Sequence, residues 1–189
     1  MVTADTGSGD GPLLINLEAA GALTLVGSPS ATGEVLDAWA LELATGPLAA
    51  DVEVMLAGSD QEIADAGERE RVRFMPAVSD AIHAAAVHAL EAGAILDEAG
   101  VASVSEARRR GVAADTWAPL VVMTAGPLPD ANRRQLAALA SQTAAGVSII
   151  TAAEAHDAAL PGWTLSHLRN QDWRLEPIAL QVQPPHLNA

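Results

Sequence analysis

Four short apolar runs, Ala22 to Val26 (ALTLV), Val52 to Gly58 (VEVMLAG), Leu120 to Gly126 (LVVMTAG) and Val147 to Thr151 (VSIIT), recur along the chain with segments of helical period between them. That alternation narrows the fold more than any other feature. A strand that is apolar on both faces has to be covered on both faces, which is the condition of a parallel sheet sandwiched between helices. In the first helical segment, Glu34 to Ala44, apolar Val35, Leu36, Trp39, Ala40 and Leu43 recur every three or four residues, and Gly46-Pro47 ends it. A longer helix follows Ser79 and Asp80, its expected caps, with Ile82, Ala86, Leu90 and Ala94 along one face and Gly100 after its end. Ser103 to Arg110 is a short helix and Asn132 to Ala144 another, stopped by Gly146. The expected architecture is an α/β three-layer sandwich, a mostly parallel sheet with helices on both faces.

The remaining segments are expected at the margins. Met1 to Gly11, MVTADTGSGDG, is too polar to order itself and reads as a leader or linker. Leu13 to Glu18 and Ala22 to Val26, separated by Ala19-Ala20-Gly21, read as a hairpin. Val72 to Pro76 is short enough for a further strand. The last stretch, from Trp163 onward, alternates and carries Pro177, which suggests antiparallel or edge strands. One domain over residues 12–183, with a tail at 184–189, is the expected organisation.

Charge and composition exclude several classes. With 24 acids against 10 bases, all of them Arg, the chain of 189 residues carries a formal net charge of -14. This opposes the counterion release that drives duplex binding, so no nucleic-acid partner is expected. Cysteine is absent, leaving no disulfide framework and no thiolate metal site. No run of about 18 apolar residues is present, and the first residues lack the charged and apolar regions of a signal peptide. The expectation is a cytoplasmic fragment, or the cytosolic part of a membrane-anchored protein, with no direct membrane contact of its own.

The segment from Ala22 to Thr45 is a strand, a small-residue stretch and a helix, the order of a phosphate-binding loop. That chemistry requires G-x-x-x-x-G-K-[ST], whose glycines expose backbone N–H groups, whose Lys reaches the β- and γ-phosphates and whose hydroxyl holds magnesium. Here Gly27 and Gly33 bracket the stretch, and Glu34 and Val35 follow where Lys and Ser or Thr belong. A nucleotide phosphate is expected to meet an acid in place of a cation.

With these elements in place the chain from Leu13 to Glu154 resembles the motor domain of FtsK/SpoIIIE-type DNA translocases, a RecA-like P-loop fold. GSPSATGEV stands where that family has its phosphate loop, and LEAGAILDEAGVASVSEARRR, Leu90 to Arg110, is similar to its helix-loop-helix. APLVVMTAG occupies the place of a hydrophobic strand ending in an Asp-Glu pair, with Ala125 and Gly126 near the positions of the acids. AAGVSIITAAE is similar to the strand that ends in a polar γ-phosphate sensor, with Glu154 near its place. The resemblance implies a scaffold stripped of its catalytic groups, hence no enzyme, no cofactor and a structural or protein-interaction role toward other domains of a larger protein or a second copy. An active ATPase would need a partner chain to supply both the phosphate cation and the metal acid. The opening INLEAAGALTLVG also resembles degenerate domains of large actinobacterial membrane proteins with LysM or bacterial transcriptional-activator (BTAD) regions.

Other residues offer weaker chemistry. The histidines at 83, 88, 156, 167 and 186 have no i, i+4 pair, so no metal site is expected. Arg108, Arg109 and Arg110 suit an anionic ligand, although a basic helix end beside the C-terminal dipole is the commoner explanation. Arg169 to Asp172, next to Trp173 and Arg174, offers a fork of donors and a stacking face, so a nucleotide or cyclic dinucleotide docking there is the alternative function. The ordinary reading of that string is a turn between strands.

Overall fold

A computed structural model describes residues 1–6, 12–47, 51–58, 71–112, 118–168 and 172–185. The four apolar runs become β3 (Ala22–Val26), β4 (Glu53–Ala57), β6 (Leu120–Thr124) and β7 (Val147–Ala153). Together with β5 (Val72–Met75), β8 (Trp163–His167), β9 (Trp173–Glu176) and β10 (Leu180–Val182) they form an eight-stranded sheet in the order β10-β9-β8-β3-β7-β6-β4-β5. From β8 through to β5 every neighbouring pair is parallel, and only the β8–β9 and β9–β10 pairings are antiparallel. β3 and β6 are buried along their whole lengths, the consequence of helices on both faces. This is the α/β, RecA-like three-layer sandwich expected from the sequence.

Strand alternation divides the core in two. Leu23, Leu25 and Ile150 face a cluster with Val35, Leu36 and Trp39 of α2 (Pro29–Thr45). Ala22, Met55 and Ile149 face the opposite cluster, built from Ala81, Ala85 and Ala89 of α3 (Val78–Ala99) and Leu136 and Leu139 of α5 (Asp130–Ala140). A short α4 (Val104–Arg110) seals the end of α3 through Val104 and Ala107. Ser103 caps α4 by accepting from the Glu106 N–H at 3.1 Å, and Gly100 ends α3 in the left-handed conformation, φ 63°.

Four expectations are corrected. The supposed leader contributes β1 (Val2–Asp5), whose Val2 and Ala4 are buried; residues 7–11 lie outside the described residues. β1 pairs antiparallel with β2 (Pro12–Ile15), and the indole N–H of Trp39 donates to the Thr3 carbonyl at 2.8 Å. The stretch is polar on average, yet its two alternate apolar residues suffice to anchor it. The expected hairpin is absent because a single helical turn, α1 (Leu17–Ala20), capped by Asn16, separates β2 from β3. β8 is parallel to β3, not antiparallel or at the edge. Finally, α3 is rotated from its expected phase: Ile82 is buried as expected, but the buried face continues through Ala81, Ala85, Ala89, Ala92 and Leu96, and Leu90 is 74% exposed. Alanine reads as apolar on every side of this helix, and packing selects the face with the smallest side chains, which brings α3 closest to the sheet.

Candidate ligand cleft

The carboxyl ends of β3, β6 and β7 open on one cleft of about 470 Å³, the place where open α/β sheets bind ligands. Its floor and walls are Gly27 after β3, the Ala125 to Leu128 segment after β6, Ala152 to Ala155 at the end of β7, and Ala158 of a following 3-10 turn (His156–Ala158). The rims are stitched to the sheet by Gly27 N–H donating to the Ala153 carbonyl and Ala125 N–H donating to that of Ala57, both at 3.0 Å. A Cβ on Gly27 would come within 2.9 Å of His167 Cβ, so glycine lets β3 leave the sheet beside β8.

The fourth wall is α2, and here the sequence reading needs its main correction. The helix starts at Pro29, not at Glu34. Ser28 is its N-cap, accepting from Ala31 N–H at 3.4 Å, and Thr32 N–H donates to the Ser28 carbonyl at 3.0 Å. Pro29 at the first turn has no N–H to give. From Pro29 onward the residues expected to form an anion-wrapping loop are therefore already α-helical, with no N–H at Pro29 and those of Ala31 and Thr32 engaged. Rotation of the helix then decides what faces the cleft: Pro29, Thr32, Gly33 and Leu36 do, at i, i+3, i+4 and i+7. Glu34 is exposed elsewhere, and Val35 is fully buried in the core. The Thr32 hydroxyl, which the sequence reading passed over, is occupied by the Ser28 and Pro29 carbonyls at 3.2 and 3.3 Å.

Ala125 and Gly126 line the cleft and bring no carboxylate to it. The charged residues among its lining are Arg133 and Glu154. Glu154 was singled out by its place after β7. Arg133 was not, because it belongs to no motif and reaches the cleft only through the way α5 follows the Gly126 to Pro129 turn. Its guanidinium donates to Asp130 at 2.5 Å, whereas Glu154 makes no hydrogen bond or ion pair among the described residues. Behind the cleft floor, the buried hydroxyls of Thr124 and Thr151 share a hydrogen bond of 2.8 Å.

The remaining candidates fall away from the cleft. Arg108 pairs with Glu18 and Arg110 with Glu106 at 2.6 Å, and Arg109 is exposed. Trp173 is 1% exposed, packed against the His167 ring at 4.9 Å between centroids, so it presents no stacking face to a ligand. Arg174 pairs with Glu176 at 2.8 Å, Asp172 accepts from the Leu168 N–H through its carbonyl at 2.7 Å, and Arg169 lies outside the described residues. His156 lies 3.2 Å from the Ser166 hydroxyl, and His186 is outside the described residues. His88 is half-buried beside Glu53 and Glu91; burial holds its pKa below the ordinary value, partly opposed by Glu53. Among the described residues no cluster of three or more His, Asp or Glu is placed to hold a metal ion, and no helix is long and apolar enough to cross a membrane.

No protein-family model matches the sequence, and no curated protein matches it. Solved structures do. The pCW3 conjugation coupling protein TcpA, solved with ATPγS, superposes with a TM-score of 0.62 at 12% identity over 100% of this chain and 66% of its own. Thermomonospora curvata EccC (ATPases 2 and 3), solved with a signal sequence peptide, gives 0.69 at 16% identity over 93% of this chain and 40% of its own. EssC (ATPases 2 and 3) from Geobacillus thermodenitrificans gives 0.61 at 11% over 99% and 44%. The chain thus spans less than two thirds of the length of each of these three. At such identities the likeness establishes the fold, which is that of P-loop ATPase domains of conjugation and secretion proteins. It overturns the expectation that the chain stands apart from enzymes, because the solved proteins sharing its architecture are ATPases.

Proposed function

We propose that this chain is an ATPase-type domain that serves as a protein-interaction module of a larger assembly, meeting its partner through the outer face of α3. The observation that carries the reading is Leu90, 74% exposed, with Val87, 41% exposed, one turn before it. His83 and Ala94 are exposed in the same stripe, at i, i+4, i+7 and i+11. Covering a leucine of this kind contributes about 1.5–3 kcal/mol, and on a surface otherwise dominated by acids an apolar stripe marks a contact. The partner in this reading is another domain of a larger protein or a second copy. The share of EccC, EssC and TcpA that the chain spans supports it, since domains of this fold occur there as parts of longer chains. A cytoplasmic setting, as the cytosolic part of a membrane-anchored protein of the LysM or BTAD kind, belongs to the same proposal.

Size-exclusion chromatography with light scattering, on the wild-type chain and Leu90→Glu, is the first test. A dimer that Leu90→Glu dissociates identifies a second copy as the partner. Where both are monomeric, a photo-crosslinking residue at position 90 of the full-length protein captures a heterologous or intramolecular partner. No crosslink at that position, with wild-type behaviour of Leu90→Glu, retires the reading.

A further inference from the structure

We infer that the cleft at the carboxyl ends of β3, β6 and β7 is a binding site for a small, mainly apolar molecule carrying one positive charge. This goes beyond the interaction face on α3 and does not depend on it. The volume, about 470 Å³, lies within the range of small-molecule sites, roughly 300–1,000 Å³. Its lining is Pro29, Leu36, Pro127 and Leu128 with a floor of alanines and glycines, so most of a ligand's body meets carbon. Small residues on the floor are what keep the space open. On the α2 wall Gly33 also leaves space: a Cβ built there meets no heavy atom within 4 Å.

Polar groups then select the charge. Phosphate recognition draws on backbone N–H groups and cations, and here Pro29 has no N–H, those of Ala31 and Thr32 are engaged by Ser28, and Arg133 is held by Asp130. Glu154 at the mouth has no partner among the described residues. The cleft therefore offers one unneutralised charge, a carboxylate, above an apolar floor. The formal net charge of -14 adds a long-range field that concentrates cations and repels anions. A polyphosphate fits this site poorly, and an apolar ring or chain with a single ammonium fits it well.

Two naphthalene fluorophores of opposite charge make the test: dansylcadaverine, with one ammonium, and 8-anilinonaphthalene-1-sulfonate, with one sulfonate. Fluorescence titration of the wild-type chain should give saturable one-to-one binding of dansylcadaverine, at least about tenfold tighter than that of the sulfonate. Gly33→Leu should weaken dansylcadaverine about tenfold or more by filling the cleft, and Ala158→Leu should do the same from the opposite wall, so that a folding defect in one variant leaves the other to decide. Glu154→Gln should cut the preference between the two probes by several-fold while leaving the cleft open, the long-range field of the remaining acids accounting for what is left. Circular dichroism and cooperative melting establish that each variant is folded. Non-saturable binding, tighter binding of the sulfonate, or unchanged affinity in a folded cleft-filling variant overturns the inference.

Discussion

The backbone N–H of Thr32 donates to the Ser28 carbonyl at 3.0 Å, which closes as α-helix the turn that a phosphate-binding loop leaves open. One hydrogen-bonded turn thus changes the chemistry at the end of β3. A loop presents several converging N–H groups to a ligand, whereas a helix that begins with proline and a serine cap presents a side-chain face. It also turns Gly33 into a mid-helix residue.

That placement makes Gly33→Ala a stabilising substitution. Glycine inside a helix costs about 0.5–1 kcal/mol relative to alanine, and the new Cβ enters open space. The melting temperature should rise by about 2–4 °C per kcal/mol for a chain of this size. A fall would place residue 33 outside the helix.

Removing residues 1–6 should destabilise the domain by about 2–4 kcal/mol. Val2 leaves a buried site, Trp39 loses its acceptor at Thr3, and Glu42 loses the Thr3 hydroxyl it accepts from at 2.9 Å. Urea denaturation of the truncated and complete chains measures this, and equal midpoints would return the segment to the status of a leader.

Thr124 and Thr151 form a double-mutant cycle. Thr151→Val leaves the buried Thr124 hydroxyl without its partner and should cost about 1–3 kcal/mol, while the double variant Thr124→Val, Thr151→Val should recover part of the loss. Additive losses in chemical denaturation would show that the two hydroxyls are not coupled.

His88 should make stability fall in mild acid. Burial lowers its folded pKa beneath 6.5, so the neutral form is favoured in the folded chain and the unfolded chain binds the proton first. Its contribution is intact above 6.5 and is lost as pH falls from there through the folded value; Glu53 and Glu91 soften the effect and Arg73 adds to it. Melting curves across that window should be flatter for His88→Gln than for wild type. Identical slopes would remove His88 as the cause.

Duplex DNA should not bind at physiological salt. A formal net charge of -14 leaves too few cations to neutralise phosphates, and Arg108 and Arg110, in the one run of three, already face Glu18 and Glu106. Fluorescence anisotropy with a labelled duplex is the measurement, and micromolar binding irrespective of sequence would contradict it.

Four apolar runs and the helical period between them determined the layer architecture, because a strand buried on both faces has few ways to be covered. Gly100 marked a stop and Ser103 a start, because caps and left-handed turns are local chemistry, whereas the helix expected to run on to Gly146 ends at Ala140, and Gly146 closes only the 3-10 turn Thr143–Ala145. What faces the cleft was decided by tertiary structure. The phase of α2 put Val35 in the core and Thr32 and Gly33 on the cleft wall, and the turn after β6 carried Arg133 there from α5. Nor did residue types alone fix the phase of α3, where alanine is compatible with every face and only close packing against the sheet chose Ala85 and Ala89 over Leu90. Local sequence marked some helix ends, as at Ser103 and Gly100, and missed others, since α2 begins at Pro29 and α3 at Val78, ahead of Ser79 and Asp80, its expected caps; the rotation of a helix is a property of the surfaces it packs against.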